Sequence, residues 1–255
     1  MRLANKCAAI VLLATQVASL GAQTTCTKPV YLSFDTGHMA VAPLVADVLG
    51  KHQVKATFFL ANERTKTQGT SLDDVWLPWW QARVKEGHAF GSHTFDHVYW
   101  IADTVKGFRV KATAGKSLGR IQEWTPQQYC LEMKRSEARF FAMTGQMLSD
   151  QKGKKLFRAP GGRTSPKLLQ VVSQCGFVHM GWNAAGFLGD ELPSDQFSNV
   201  SLLDKALANI QTGDVLMAHL GIWSRQDPWA PAVLEPLIVG LKARGFCFET
   251  LADKP

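Results

Sequence analysis

The sequence predicts an α/β fold whose parallel sheet is built from about seven strand–helix units. One pattern recurs: a helical segment ends in glycine, and a short apolar segment follows within a few residues. Glycine just past a helix is the usual left-handed cap, and continuous apolar segments are typical of strands buried on both faces. Strict alternation of the two elements indicates a parallel sheet. The number of units favours a closed or nearly closed barrel, and an open doubly wound sheet is the alternative that the pattern leaves open.

The elements follow in order along the chain. The apolar segments predicted as strands are PVYLSFD (29–35), VKATFFL (54–60), HAFGSH (88–93), KLFRAP (155–160), FVHMGW (177–182), DVLMAHL (214–220) and FCFETL (246–251). The predicted helices are VAPLVADVLG, DDVWLPWWQARVKEG, SPKLLQVVSQCG, LLDKALANIQTG and VLEPLIVGLKARG, which end at Gly50, Gly87, Gly176, Gly213 and Gly245. Segment 102–124 departs from the pattern, with three glycines and five basic residues, and is predicted as a long loop that is functional or disordered.

Composition indicates an exported globular protein. Hydrophobic residues make up 46% of the 255 residues and charged residues 19%, which excludes a disordered chain. Arg2 and Lys6 precede an apolar run and small residues, the layout of a signal peptide over residues 1–22; an uncleaved membrane anchor is the alternative. We see no interdomain linker, so residues 23–255 are predicted to form one secreted or periplasmic domain.

The mature chain carries a modest positive charge. Removal of Arg2 and Lys6 takes the net charge from +7 to +5, which suits anionic surfaces such as cell-wall polymers. We expect no nucleic-acid partner and no stable membrane insertion of the mature chain. Four cysteines remain, at positions 26, 130, 175 and 247, and two disulfides among them have three possible connectivities.

Polar and aromatic residues recur where the predicted strands end. They are Asp35, His93, His97, Arg158, Trp182 and His219. In parallel α/β folds these ends open onto one face, where active sites are built. Each residue also has an ordinary explanation: a helix cap for Asp35, an ion pair for Arg158, a core histidine for His219. Their common position favours a shared site.

The motifs SFDTG, KATFFL, SHTFDH, FRAPGG and LMAHLG, in this order, resemble those of polysaccharide deacetylases of the nodulation-factor deacetylase type. The resemblance implies a distorted parallel (β/α) barrel with its active face at the strand C-termini. It also implies a divalent metal, commonly zinc, and hydrolysis of N- or O-acetyl groups on an acetylated polysaccharide or oligosaccharide. The roles it implies are Asp35 as catalytic base, His93 and His97 as metal ligands, Arg158 as the partner of the base, Gly161 as an oxyanion donor and His219 as general acid.

The chain departs from the family pattern at the metal site. Thr36 stands where the family has an aspartate that is the third metal ligand, and a hydroxyl is a much poorer zinc ligand than a carboxylate. Three interpretations remain open. The metal binds through two histidines and waters, with Thr36 contacting one water; or His38 or Asp96 substitutes for the ligand; or the protein is a non-catalytic sugar binder.

Two further motifs differ. Gly161 replaces a tyrosine, which keeps the backbone N–H but removes an aromatic wall. The family supports its catalytic histidine with an aspartate soon after the tryptophan that Trp182 matches. Here the segment offers Asn183 and, further on, Asp190, and Asp190 is the candidate.

Substrate contacts and cysteine pairing can also be predicted. Trp223 and Trp229 follow His219 and either stack on sugar rings or pack beneath their loop. Lys106, Arg109 and Lys111 of the basic segment are candidate contacts for an anionic polymer. In a barrel the first and last strands are near neighbours, which predicts the disulfide Cys26–Cys247 and leaves Cys130–Cys175.

Overall fold

The computed structural model describes residues 26–148 and 153–255, so the predicted signal peptide (1–22) lies outside the described residues. Its strands are β1 (Pro29–Asp35), β2 (Thr57–Leu60), β3 (Ala89–Ser92), β4 (Val98–Asp103), β5 (Phe108–Ala112), β6 (Ile121–Trp124), β7 (Lys155–Phe157), β8 (Phe177–His179), β9 (Val215–His219) and β10 (Cys247–Phe248). Its helices are α1 (Ala42–Lys51), α2 (Leu77–Lys85), α3 (Pro126–Thr144), α4 (Pro166–Gln174), α5 (Asn199–Asn209) and α6 (Trp229–Ala243).

Seven parallel strands form the main sheet, as the sequence predicts. Their order is β10-β1-β2-β3-β7-β8, and β9 pairs with β1. Within the described ranges no strand pairing joins β8 to β9. Instead, irregular chain lies along β9, where the Met217 N–H donates to the Gly186 carbonyl at 2.8 Å and the Leu188 N–H donates to the Met217 carbonyl at 3.3 Å. The barrel is therefore distorted on this side.

Strand β1 pairs with three other strands and sends alternate side chains to the two faces of the sheet. Val30, Leu32 and Phe34 belong to the large core cluster that also contains the apolar faces of α1 and α6. Tyr31 belongs to the smaller cluster on the other face. The alternation places the carboxylate of Asp35 on the same inner face as Tyr31, at the end of the strand.

The predicted helix ends agree with the structure at three of the five glycines, because Gly87, Gly176 and Gly245 directly follow helix C-caps and have positive φ. The prediction for Gly213 is wrong: α5 ends earlier, at Asn209, and Gly213 lies in the turn before β9. The prediction for Gly50 is wrong: α1 continues to Lys51. The left-handed residue there is Gln53, with φ of 51°.

The prediction of a loop over 102–124 is also wrong. Strands β4, β5 and β6 form a separate antiparallel sheet. In β5 the buried side chains of Phe108, Val110 and Ala112 alternate with exposed Arg109 and Lys111. The apolar side chains pack with residues of α3 and α4 in a second core cluster, and this tertiary contact orders the segment. The proposed contact of the basic side chains with an anionic polymer stays a prediction.

Both predicted disulfides are present. Cys26–Cys247 joins the chain before β1 to β10, and Cys130–Cys175 joins α3 to the end of α4. In the part of the chain that the structure describes, every helix is too short or too polar to cross a membrane.

Candidate active site

The strand ends meet in a small pocket that opens to solvent. Its lining residues are Asp35, Glu63, His93, His97, Tyr99, Gly161, Trp182, Glu191, Met217, His219 and Ile222. The structure therefore brings together six residues that the sequence analysis selected. Thr36, Arg158 and Asp190 lie behind the pocket walls, where they contact lining residues. Glu63, Tyr99 and Glu191 were not selected from the sequence.

Asp35 is held by a buried arginine. Arg158 is fully buried, and its Nη1 donates to Asp35 Oδ1 at 2.8 Å while its Nη2 donates to Ser33 Oγ at 2.8 Å. The guanidinium lies 4.1 Å from the centre of the Phe59 ring. Burial alone would raise the pKa of Asp35, but the charges of Arg158 and nearby histidines bring it below its ordinary value. The carboxylate is therefore ionised at neutral pH and fixed in direction.

His219 lies directly opposite Asp35 in the β1–β9 register. Asp190 contacts it twice: the His219 backbone N–H donates to Asp190 Oδ2 at 2.6 Å, and His219 Nδ1 lies 3.1 Å from Asp190 Oδ1. Burial lowers the pKa of His219, but Asp190, with smaller contributions from Asp35 and Glu191, raises it to about 10. A protonated imidazole therefore faces the pocket at neutral pH.

We expect Asp190→Asn to lower the pKa of His219 markedly. Asp190 makes the largest contribution among the groups that raise this pKa. In its absence the effect of burial, which lowers the pKa, dominates. An NMR titration of the imidazole between pH 5 and about 11 measures the change without any substrate. Glu191→Gln is the matched control, because Glu191 contributes least and its loss should move the titration only slightly. An unchanged titration in Asp190→Asn would contradict the conclusion that Asp190 is the main group that raises the pKa of His219.

The two pocket histidines are four residues apart, a spacing that would place both rings on one side of a helical turn, but they lie on a strained non-helical turn. Thr94 and His97 have φ values of 56° and 47°, which is unusual for residues other than glycine. The turn is held by the Val98 N–H, which donates to Thr94 Oγ1 at 2.7 Å, and by the Phe95 N–H, which donates to the Glu132 carbonyl at 3.2 Å. The result is that the His93 and His97 rings lie 4.9 Å apart.

Each of the two rings has one nitrogen engaged outside the pocket. His93 Nδ1 donates to the Arg158 carbonyl at 2.9 Å, which leaves Nε2 directed toward Asp35. His97 Nδ1 contacts Thr113 Oγ1, whose hydroxyl donates to the His97 carbonyl at 3.0 Å. Burial lowers the pKa of His93 to about 4, so that this ring is neutral. Neutral imidazoles oriented by such partners are typical metal ligands.

Glu63 lies between Thr36 and the histidine pair. Its Oε2 accepts hydrogen bonds from Thr36 Oγ1 and the Gly37 N–H, both at 2.6 Å, and its Oε1 lies 3.9 Å from His97 Nδ1. Burial raises the pKa of Glu63, but His97 and these hydrogen bonds bring it below its ordinary value. Glu63 follows the end of β2 by three residues, so the strand-end argument applied to the other strands would have found it.

The two substitute ligands considered in the sequence analysis lie elsewhere. Asp96 forms an ion pair with Arg135 at 3.1 Å. His38 is buried, and its Nδ1 accepts a hydrogen bond from the Ala40 N–H at 3.1 Å. Neither residue lines the pocket that contains Asp35.

An aromatic ring covers Gly161 even though the family tyrosine is missing there. A Cβ atom on Gly161 would lie 2.3 Å from Tyr99 Cε1, so the ring of Tyr99 occupies that space. Tyr99 comes from β4, and its ring lies 5.2 Å from that of His97. The wall predicted to be lost is thus present, supplied by the second sheet.

The tryptophans differ in exposure. Trp182 lines the pocket, beside Gly162. Trp223 is 57% exposed and lies edge-on against His38, outside the pocket. Trp229 is 3% exposed and packs in the main core, which is the packing alternative of the sequence analysis.

A sequence model of polysaccharide deacetylases matches residues 22–180. The chain belongs to the polysaccharide deacetylase family. This membership makes it a hydrolase of the polysaccharide deacetylase class.

Individual relatives agree with this family. The chain is 25% identical over 232 residues to a chitooligosaccharide deacetylase from Azorhizobium caulinodans, covering 87% of this chain and 92% of the relative. A family 4 acetyl xylan esterase from Clostridium thermocellum, solved with a cobalt ion, has a TM-score of 0.65 and 23% identity, covering 89% of each chain. A CE4 pseudoenzyme from Bacillus anthracis has a TM-score of 0.63 and 17% identity, covering 89% of this chain and 65% of that chain. These structures share the fold.

The pocket's donor set suits a divalent cation such as zinc. It combines two imidazoles with the carboxylates of Asp35 and Glu63, and zinc binds nitrogen and carboxylate oxygen readily. As the side chains stand, residues 26–148 and 153–255 contain no three His, Cys, Asp or Glu groups close enough to hold an ion. An ion held by this donor set would therefore require these side chains to move closer together.

Proposed function

We propose that the protein is an exported, metal-dependent deacetylase that hydrolyses N-acetyl or O-acetyl groups on a cell-wall or extracellular polysaccharide. One observation carries this proposal. An ionised carboxylate on β1 and a protonated imidazole on β9 stand opposite each other and face one pocket with a histidine pair. A base and an acid so arranged serve a hydrolytic reaction, whereas a sugar binder has no need of them.

Each residue of the site has a separate role in the proposed hydrolysis. Asp35, aimed by Arg158, takes the proton from the attacking water. A divalent ion held by His93 and His97, when bound, supplies Lewis acidity at the acetyl carbonyl and a more acidic water. The Gly161 N–H stabilises the oxyanion. His219, supported by Asp190, gives its proton to the departing nitrogen or oxygen.

The sequence and the disulfides support the proposed export. The N-terminal residues have the layout of a signal peptide, and Cys26–Cys247 and Cys130–Cys175 suit an oxidising compartment. We infer a secreted or periplasmic protein whose substrate is an acetylated glycan.

The aromatic walls suit a sugar. Trp182 and Tyr99 both line the pocket, and aromatic faces pack well against the apolar faces of sugar rings. The relatives point to two substrate classes, because one is a chitooligosaccharide deacetylase and another an acetyl xylan esterase. N-acetyl and O-acetyl hydrolysis use the same arrangement of base and acid.

A second candidate function is carbohydrate binding without catalysis. Thr36, in place of a ligand aspartate, favours it, and the fold is shared with a CE4 pseudoenzyme. On this alternative the pocket would bind glycans whether or not zinc is present.

Acetate release tests the proposal. The purified protein is incubated with zinc and with acetylated chitooligosaccharide, peptidoglycan or acetylated xylan, beside the His93→Ala and His97→Ala double variant. We expect zinc-dependent acetate release from at least one substrate, and its loss in the double variant. His52→Ala is the matched control, since His52 contacts Glu235 far from the pocket. Glycan binding without acetate release at any zinc concentration would favour the sugar binder.

A further inference from the structure

We propose that Glu63 is the third protein ligand of the metal, so that His93, His97 and Glu63 form a site for a divalent cation of the zinc class. This inference rests on the proposed metal-dependent function. It identifies the residue that supplies the carboxylate ligand absent at position 36. Thr36 then acts as a positioning residue that holds Glu63, in place of the contact with a metal-bound water considered for it above.

The hydrogen bonds around Thr36 support this division. Thr36 Oγ1 accepts from the Ala61 N–H at 3.1 Å and donates to Glu63 Oε2 at 2.6 Å. The Gly37 N–H donates to the same carboxylate oxygen. The hydroxyl is therefore engaged on both sides, and it fixes one oxygen of Glu63 while the other oxygen faces the histidines.

The sheet explains how β2 can supply this group. Strands β1 and β2 are adjacent and parallel, and Asp35 pairs in register with Phe59. Residues just past the two strands therefore reach the same edge of the sheet. The loop that follows β2 is held in place, because the Glu63 N–H donates to Ser71 Oγ at 3.0 Å and the Ser71 N–H donates to the Glu63 carbonyl at 2.8 Å. A carboxylate beside position 36 can thus come from either strand.

Charge favours Glu63 over the other acids of the pocket. Asp35 is paired with the buried guanidinium of Arg158, so its charge is compensated within the protein. The two imidazoles are neutral as ligands. Glu63 is held by uncharged donors on one oxygen, and its negative charge remains available to a dication.

The distances place the free oxygen of Glu63 beside the histidine pair, although not yet at the spacing of zinc ligands. Two donors bound to tetrahedral zinc at about 2.0–2.1 Å lie roughly 3.3 Å apart. Glu63 Oε1 lies 3.9 Å from His97 Nδ1, the nitrogen that also contacts Thr113 Oγ1, so the free carboxylate oxygen lies beside the His97 ring. An ion bound at the other ring nitrogen, Nε2, would require the Glu63 carboxylate to move toward the pocket.

Calorimetric titration of chelator-treated protein with Zn²⁺ alone tests the assignment without any use of activity. We expect Glu63→Gln to weaken zinc binding by at least ~100-fold, and Thr36→Val, which removes only the positioning hydroxyl, by roughly 10-fold. The amide of Glu63→Gln keeps an oxygen acceptor for Thr36 and Gly37, so the fold is preserved. Glu191→Gln is the matched control, because it removes another carboxylate from the same pocket and should change zinc affinity by less than about 3-fold.

A rescue variant separates ligation from a merely structural role. Thr36→Asp places a carboxylate at the position where the family has one, so the Thr36→Asp and Glu63→Gln double variant should recover most of the lost affinity. A structural role for Glu63 predicts no such recovery. Circular dichroism of each variant measures whether it is folded, and the rescue is decisive even where Glu63→Gln alone is destabilised.

The outcomes distinguish this inference from the proposed function. Zinc binding that is lost in the His93→Ala and His97→Ala variant but unchanged in Glu63→Gln would overturn the role of Glu63 and leave the metal-dependent function standing. No zinc binding by the unaltered protein would overturn both. Loss in Glu63→Gln with recovery on adding Thr36→Asp is the expected result.

Discussion

Asp35→Asn is expected to lower the rate of acetate release by about 10²- to 10⁴-fold, the range for loss of a general base. The amide has the same shape as the carboxylate and can still accept a hydrogen bond from Arg158, but it cannot take a proton from water. Steady-state kinetics with the acetylated substrate measures the effect. We expect kcat to fall while KM changes little, because the lost interaction belongs to the transition state.

The control for this variant is the same substitution on an exposed helix face. Asp47 lies on the exposed side of α1, so Asp47→Asn should retain the full rate. A second control is zinc affinity in Asp35→Asn, which should remain measurable because His93, His97 and Glu63 are intact. A rate within about 3-fold of the unaltered protein would remove Asp35 from the role of base.

Arg158→Met is expected to give the largest change in stability, lowering the free energy of unfolding by about 3–5 kcal/mol. Arg158 is fully buried and donates to Asp35, Ser33 and the Met180 carbonyl. Its removal leaves the carboxylate of Asp35 in a buried position without an opposing charge, which is costlier than the loss of the ion pair itself. Urea denaturation at pH 7 measures the effect.

The pH dependence of the same variant follows from the sign of the shift. In the unaltered protein the pKa of Asp35 is depressed, so the stability that its charge contributes is present above the unfolded pKa and is lost as the pH falls through the folded one. Without Arg158, burial raises the pKa of Asp35, so the carboxylate takes up a proton at a higher pH. The stability deficit of Arg158→Met, which is its loss in free energy of unfolding relative to the unaltered protein, should therefore shrink as the pH falls toward 4. Adding Asp35→Asn to Arg158→Met should also reduce it at pH 7. An equal deficit at both pH values would contradict this account.

The sequence predicts the elements that rest on local patterns. PVYLSFD coincides with β1 to the residue, because a strand buried on both faces shows as a continuous apolar run. The Cys26–Cys247 pairing follows from the adjacency of the first and last strands. The helix α3 was not among the predicted helices, although Thr125 and Gln128 form a capping box at its start.

What the sequence does not predict depends on contacts between distant segments. The second sheet is ordered by packing of Phe108 and Val110 against α3 and α4, and its short strands carry a weak pattern. Glu63, which follows β2, lies beside Thr36, where the family has a carboxylate that follows β1. Tyr99, on β4, occupies the space beside Gly161, where the family has a tyrosine. A motif comparison works position by position along the chain, so a group that reaches the same point in space from a neighbouring strand is missed.

The Cys26–Cys247 disulfide also constrains the order of assembly. It joins positions 221 residues apart, and strand β1 is paired with β9 and β10, both near the far end of the chain. A nascent chain therefore cannot complete its central sheet until almost all of it has been synthesised. Such high contact order slows folding, which would suit the export proposed above, because a secretion channel admits an unfolded chain.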